Sequence, residues 1–296
     1  MAAEEKRSSS LVYAHNFARV TSVDGMRVSL SYDLDRIRWP WLSLPAQHPV
    51  LVEKYQYFSA VTSGDRVLNQ SLGVQTALTR LQWRCEAAAF DSGHAPLGEC
   101  ELWQNDNDMG FEITTRNADR QAMVHLAGTG FAFADRDFAG WRKASRQKAL
   151  AACGSPPPEL TAAHKVGLDE RGHSLISDLH PSSDMPCVTA LVTSANGFHP
   201  AHPFHTGSGD HVNAGHLFDC VLQMAHLLTP HNHPLDCAGG QAEFMRFVEL
   251  DVPFEIRLAD EPTEAAGATC MTFALSQLDR ENTRIQLRLR TRNHQN

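Results

Sequence analysis

Twice in its 296 residues this chain sets one mostly apolar stretch of helical length among runs of alternating polar and apolar residues. Alternation with a period of two marks a strand with one buried face, and a helix that is apolar nearly all round must lie inside the fold. The chain is thereby committed to strands gathered about a central helix, and to doing so twice. In the first half, residues 16–22 and 26–34 alternate on either side of Asp24 and Gly25, a hairpin turn pair. Residues 49–61 form the apolar helical stretch, and strand-like runs follow at 75–90, at 98–104 continuing into 111–116, and at 121–134. The polar cluster Asn105 to Asp108 is a loop between two of them.

The second half repeats the order. Residues 187–194 alternate as a strand, 211–228 have the helical pattern, and 240–259, 269–279 and 284–292 supply long antiparallel strands. Between the halves, Pro156, Pro157 and Pro158 remove three backbone donors in a row and fix φ, so no helix or sheet continues through them. The expected organisation is α+β, with a first domain at 11–150, a proline-rich linker at 151–162 and a second domain at 163–296.

Charge and cysteine usage narrow the function. A formal net charge of −8 argues against a nucleic-acid surface, which needs clustered Lys and Arg. The arginines between Arg284 and Arg292 alternate with apolar residues, as the outer face of a half-exposed strand does. There is no apolar run of spanning length and no apolar core of a signal peptide at the start of the sequence, so no membrane span and a cytoplasmic location are expected. The seven cysteines are an odd number with no Cys-x-x-Cys pair, which fits small reduced core residues.

The chemistry concentrates between His202 and Gln223. A glycine-bearing polar loop ends in Asp210 and His211, and an apolar helix pattern follows with Gly215 near its start, one carboxylate at Asp219 and one amide at Gln223. An imidazole followed by an acid on a buried helix has the parts of an acid–base pair. Eleven of the 16 histidines fall between His164 and His233, with His199, His202 and His205 three apart. Pro200 and Pro203 interrupt the helix that ligands at that spacing need, so no metal is assigned. No glycine-rich nucleotide loop follows a strand, and no cofactor is assigned.

These residues resemble two families. Asp210-His211, Gly215, the acid at Asp219 and Gln223, with the later stretch Phe244 to Pro253, are similar to the A-factor (γ-butyrolactone) biosynthesis hotdog family over roughly Ala163 to Pro253. Leu222 stands where that family has arginine, and a phosphate-bearing acceptor would want that cation. The His-x-x-x-Gly spacing of His211 and Gly215 and the Asp-x-x-x-Gln spacing of Asp219 and Gln223 also resemble polyketide-synthase dehydratase domains. In the first half, His48-Pro49 followed by Glu53 is similar to the lead-in motif of those domains. Both resemblances imply a double hotdog, two copies of a curved antiparallel sheet wrapped around a central helix.

They also imply a substrate held as an acyl thioester on carrier protein or coenzyme A, in polyketide, signal or other specialised-metabolite biosynthesis. The leading expectation is dehydration of a β-hydroxyacyl group, with His211 as base and Asp219 or Glu53 as acid. The resemblance pairs His211 with Glu53 and His48 with Asp219, and leaves Gly215, Gln223 and Asp210 to hold substrate. Two alternatives stay open: A-factor-type transfer of a β-ketoacyl group to a small hydroxylated acceptor, and a non-catalytic hotdog that binds an acyl ligand or scaffolds a synthase. A homodimer of double hotdogs is a further expectation.

Overall fold

The computed structural model describes residues 16–68, 75–105, 108–133, 137–154, 156–168, 173–181, 183–193, 195–196, 211–229 and 235–291. The chain divides into two compact units, Met1–Arg136 and Asp137–Asn296.

The first unit begins with the hairpin β1 (Ala18–Asp24) and β2 (Arg27–Tyr32), turning at Gly25 with φ +57°. Helix α1 (Pro49–Val67) follows, then β3 (Gln75–Cys85), the short α2 (Ala88–Asp91), β4 (Leu97–Asn105), β5 (Asp108–Arg116) and β6 (Ala122–Phe133). These strands form an antiparallel sheet in the order β1-β2-β4-β5-β6-β3. Helix α1 lies against β1, β4 and β5. It is buried nearly all round from Pro49 to Gly64, as a central helix must be. Aromatic rings fill the space between helix and hairpin. Phe17 sits 5.5 Å from Tyr32 and 5.4 Å from Trp39, and Trp41 stacks on Phe58 at 5.7 Å. The two tyrosines find partners there: Tyr55 donates to the Ala95 carbonyl at 3.1 Å, and Tyr32 shares a hydrogen bond with Ser59 at 2.7 Å. Where β3 bulges between Leu78 and Arg80, a Cβ on Gly130 would stand 2.4 Å from the Ala77 carbonyl oxygen. Only glycine fits that approach.

The second unit opens with a helix that the hydrophobic pattern did not reveal, α3 (Phe138–Ala152), capped by the Asp137 carboxylate accepting from Gly140 N–H at 2.9 Å. In the sequence this helix falls mostly inside the stretch assigned to the first half. Next come β7 (Cys187–Ala190), the two-residue β8 (His211–Val212) and the central helix α4 (Ala214–Leu228). The strands β9 (Leu235–Phe244), β10 (Val248–Glu249), β11 (Phe254–Leu258), β12 (Thr263–Ala265), β13 (Ala268–Gln277) and β14 (Arg280–Thr291) complete it. Its sheet runs β9-β14-β13-β11-β7, with β12 also on β13, while β10 and β8 form a ribbon of their own. In β14, Ile285, Leu287 and Leu289 are buried while Arg284 and Arg290 are exposed, so the alternation resolves as a one-sided strand. The run expected as one strand over 240–259 is three strands. It is broken where the chain turns after β9 and again at Asp251, whose φ is +64°.

Helix α4 is buried from Gly215 to Ala225 apart from Asp219, and Leu222, at the position where the resembled family carries arginine, is among the buried residues. Among the described residues no helix is long and apolar enough to cross a membrane.

Candidate active site

Helix α4 begins at Asn213, whose backbone is extended and whose Oδ1 accepts from His216 N–H at 3.1 Å. The same oxygen lies 2.7 Å from His216 Nδ1. Since Oδ1 only accepts, the imidazole must donate from Nδ1, which leaves Nε2 as the acceptor of neutral His216. His216 is fully buried, and its role as cap partner was not evident from the sequence. Gly215 is buried in the first turn. The N–H groups of Ala214 and Gly215 come too early in the helix to have an intrahelical acceptor.

His211 stands just ahead of that helix start, in β8, half-buried. Strand β8 pairs with β10 so that His211 is directly opposite Glu249 and Val212 opposite Val248. Directly opposed residues present their side chains on one face. The His211 ring meets Phe247 edge to face, with centroids 4.6 Å apart and planes at 70°. Glu249 is only 4% exposed, and it is held on every side. Arg142 of α3 donates to its two carboxylate oxygens at 2.8 and 2.6 Å, and the Ser145 hydroxyl donates at 2.8 Å. Gln277 accepts from Glu249 N–H at 2.8 Å and donates to the Glu249 carbonyl at 3.1 Å. None of Arg142, Phe247 and Glu249 was singled out from the sequence. Their meeting depends on a pairing between distant segments.

Asp219 sits in the second turn of α4, half-buried. Its charge reaches along the helix to His226, seven residues on and so on the same face. Burial holds the His226 imidazole below its usual value, and the Asp219 charge pulls the other way. Burial pushes the neighbouring Cys220 thiol well up, with the Asp219 charge adding to the effect. Gln223 is 1% exposed and uses both ends of its amide on one loop. Its Oε1 accepts from Leu175 N–H at 2.9 Å and its Nε2 donates to the His173 carbonyl at 3.2 Å. Asp210 lies outside the described residues, as do His199, His202 and His205. Among the described residues no group of three or more His, Cys, Asp or Glu is placed to hold a metal ion.

In the first unit His48 is the N-cap of α1, its Nδ1 accepting from Val50 N–H at 3.2 Å with Pro49 in the first helical turn. That bond puts the proton of neutral His48 on Nε2. Glu53 is buried, one turn further along, with Lys54 buried beside it. The Lys54 ammonium is 2.8 Å from Glu53 Oε2, close enough for an ion pair although that oxygen is not aligned for a hydrogen bond. Glu53 is thus enclosed in the fold and not solvated.

No protein-family model and no curated protein matches the sequence. Solved structures do resemble it. The chain is 12% identical to the 12:0-ACP thioesterase from Umbellularia californica over 92% of this chain and 100% of that one, with a TM-score of 0.52. An acyl-CoA thioesterase II, TesB2, from Mycobacterium marinum is 11% identical over 95% of this chain and 96% of that one, with a TM-score of 0.49. The dehydratase domain of RzxB from Pseudomonas fluorescens is 16% identical over 93% and 97%, with a TM-score of 0.47. At these identities the likeness is one of fold. The chain is an α+β double hotdog.

Proposed function

We propose that this protein is an enzyme acting on an acyl thioester, and that it removes water from a β-hydroxyacyl group. The observation that carries the reading is the placement of His211 immediately before the N-terminus of α4, with Asp219 in the second turn of the same helix. A helix start presents N–H groups and a positive dipole end, which suit a thioester carbonyl whose oxygen gains negative charge. In this reading the carbonyl oxygen accepts from the Ala214 and Gly215 N–H groups. His211 takes the α-proton as the electron pair moves toward the carbonyl. Asp219, protonated, gives its proton to the β-hydroxyl, which leaves as water as the double bond forms. The buried apolar face of α4 supplies the surroundings that an acyl chain needs.

A second reading uses the same parts for hydrolysis, with His211 activating water against the thioester carbonyl and the thiol leaving. It is supported by the fold shared with a protein described as a 12:0-ACP thioesterase. Transfer of a β-ketoacyl group in the A-factor manner has less support, because the position of that family's arginine is the buried Leu222.

Incubation with β-hydroxyacyl, β-ketoacyl and saturated acyl groups on carrier protein and on coenzyme A, followed by mass spectrometry, tests the proposal. Loss of one water from the β-hydroxyacyl substrate is the expected result. Release of free thiol together with the free carboxylic acid assigns hydrolysis, and release of thiol with the acyl group passed to a small hydroxylated acceptor assigns transfer. Retention of an acyl ligand without turnover makes the protein a binder. His211→Ala is expected to lower kcat by a factor on the order of 100 or more, the range for a general base. Full activity in that variant would refute the assignment of the base.

A further inference from the structure

We infer that Arg142, on the helix preceding the proline-rich segment, is a positioning residue for His211, acting through Phe247 and Glu249. The inference rests on the reading of His211 as the base. The Arg142 guanidinium carbon lies 4.3 Å from the Phe247 ring centroid, and the Phe247 ring is the surface that the His211 imidazole meets at 4.6 Å. The guanidinium is 3% exposed and makes its two-pronged bond to Glu249, the residue directly opposite His211 in the β8–β10 ribbon. One buried cation therefore holds two neighbours of His211, the ring that its imidazole meets and the carboxylate directly opposite it in the strand pair.

The charge arrangement matters as much as the contact. Glu249 without Arg142 would be a buried carboxylate facing the base across two strands, and it would draw the imidazole toward itself. With Arg142 in place the carboxylate is spent on the guanidinium and on Ser145. Two paired strand residues are too few to hold a side chain by themselves. Gln277 holds the backbone of Glu249, and α3 holds its side chain.

The same helix provides its own control. One turn on, Arg146 pairs with Asp251, beyond β10, at the partly exposed edge of the contact. That pair fastens α3 to the same stretch of chain, while the rings that Arg142 meets are Trp141 and Phe247.

The test compares Arg142→Met with Arg146→Met in the full chain, reading steady-state kinetics and the imidazole signals of His211 in proton–carbon NMR. The His211 signal is identified by its loss in His211→Gln. Arg142→Met is expected to lower kcat by roughly 100-fold, the scale of a misplaced catalytic group, with KM little changed, and to move the His211 signal. Arg142→Lys, which keeps the cation over the ring but not the fork, is expected to recover part of the loss. Arg146→Met is expected to do neither.

A folded Arg142→Met variant with the wild-type kcat and an unmoved His211 signal would overturn the inference. If Arg142→Met does not fold, Phe247→Leu and the double variant Arg142→Met/Glu249→Leu, which leaves no charge orphaned, are read by the same two measures. If the wild type turns over no acyl thioester while the His211 signal still responds to Arg142→Met alone, the catalytic reading fails and the positioning stands.

Discussion

Replacement of Gln223 by leucine separates a structural amide from a substrate-binding one. Gln223 is 1% exposed, and Leu175, to whose N–H it is bonded, is also 1% exposed. The leucine side chain fills much of the same volume and can neither accept nor donate. The Leu175 N–H then has no partner in a buried place, at a cost of about 1–3 kcal/mol. The His173 carbonyl belongs to an exposed residue and can turn to water, so its loss adds little, roughly 0.5 kcal/mol. Apolar burial of the new side chain returns part of this. The sum is a destabilisation of about 2 kcal/mol, which for a unit of this size lowers the melting temperature by roughly 4–8 °C. Thermal unfolding followed by circular dichroism gives the shift, and amide hydrogen exchange at Leu175 shows whether the loss is local. The structural account requires both a lower melting temperature and faster exchange at Leu175. A Gln223→Leu protein with unchanged melting and unchanged exchange but a raised KM would refute the reasoning and return Gln223 to the substrate.

The buried pair on α1 makes Lys54→Met costly: with Glu53 left unpaired, stability is expected to fall by about 3–5 kcal/mol. Glu53→Leu/Lys54→Met should recover most of it, as measured by denaturant midpoints. His94 and His226 are both held below the ordinary imidazole value by burial. Their contribution to stability is therefore present above about pH 6.5 and is lost as the pH falls below it, because the unfolded chain takes up protons that the folded one resists. His94→Gln should flatten that part of the stability–pH curve, and an unchanged curve would remove His94 from the account. Burial pushes the Cys100 thiol up to about 12. A maleimide applied to the native protein should modify the half-buried Cys85, Cys153 and Cys270 well before the buried Cys100, Cys187, Cys220 and Cys237, as peptide mapping would show.

The two central helices and the meander strands were legible because burial writes itself into periodicity. Helix α1 has buried Val50, Leu51, Val52, Tyr55 and Phe58 in its first half, and the arginines of β14 alternate with buried Ile285, Leu287 and Leu289. Helix α3 was not legible for the same reason inverted. Its buried surface includes Arg142 and half-buried Ser145, polar residues made compatible with the interior by Glu249, more than a hundred positions away. Hydrophobic periodicity does not register a face of that kind. The burial of Glu53 and Lys54 has a similar cause, since two adjacent opposite charges pair with one another inside the fold. His211 and Asp219 were marked by spacing to the helix start, whereas the surroundings of His211 come from the β8–β10 pairing, which only the folded chain supplies.

The outer edge of β7 has a consequence for behaviour in concentrated solution. On one side β7 pairs with β11. Along the other, the segment around Leu175 to His180 runs as a substitute strand: Ile176 bridges Ala190, Leu191 N–H donates to the Leu175 carbonyl, Ser177 N–H to the Thr189 carbonyl and His180 N–H to the Cys187 carbonyl. An uncovered strand edge is a template on which another chain can add itself. Here that template is occupied by the protein's own loop, and the Gln223 amide pins the loop to the central helix. Guarding against aggregation at this end of the sheet is thus delegated to a segment with almost no regular structure, and damage to its fastening should appear first as turbidity on storage.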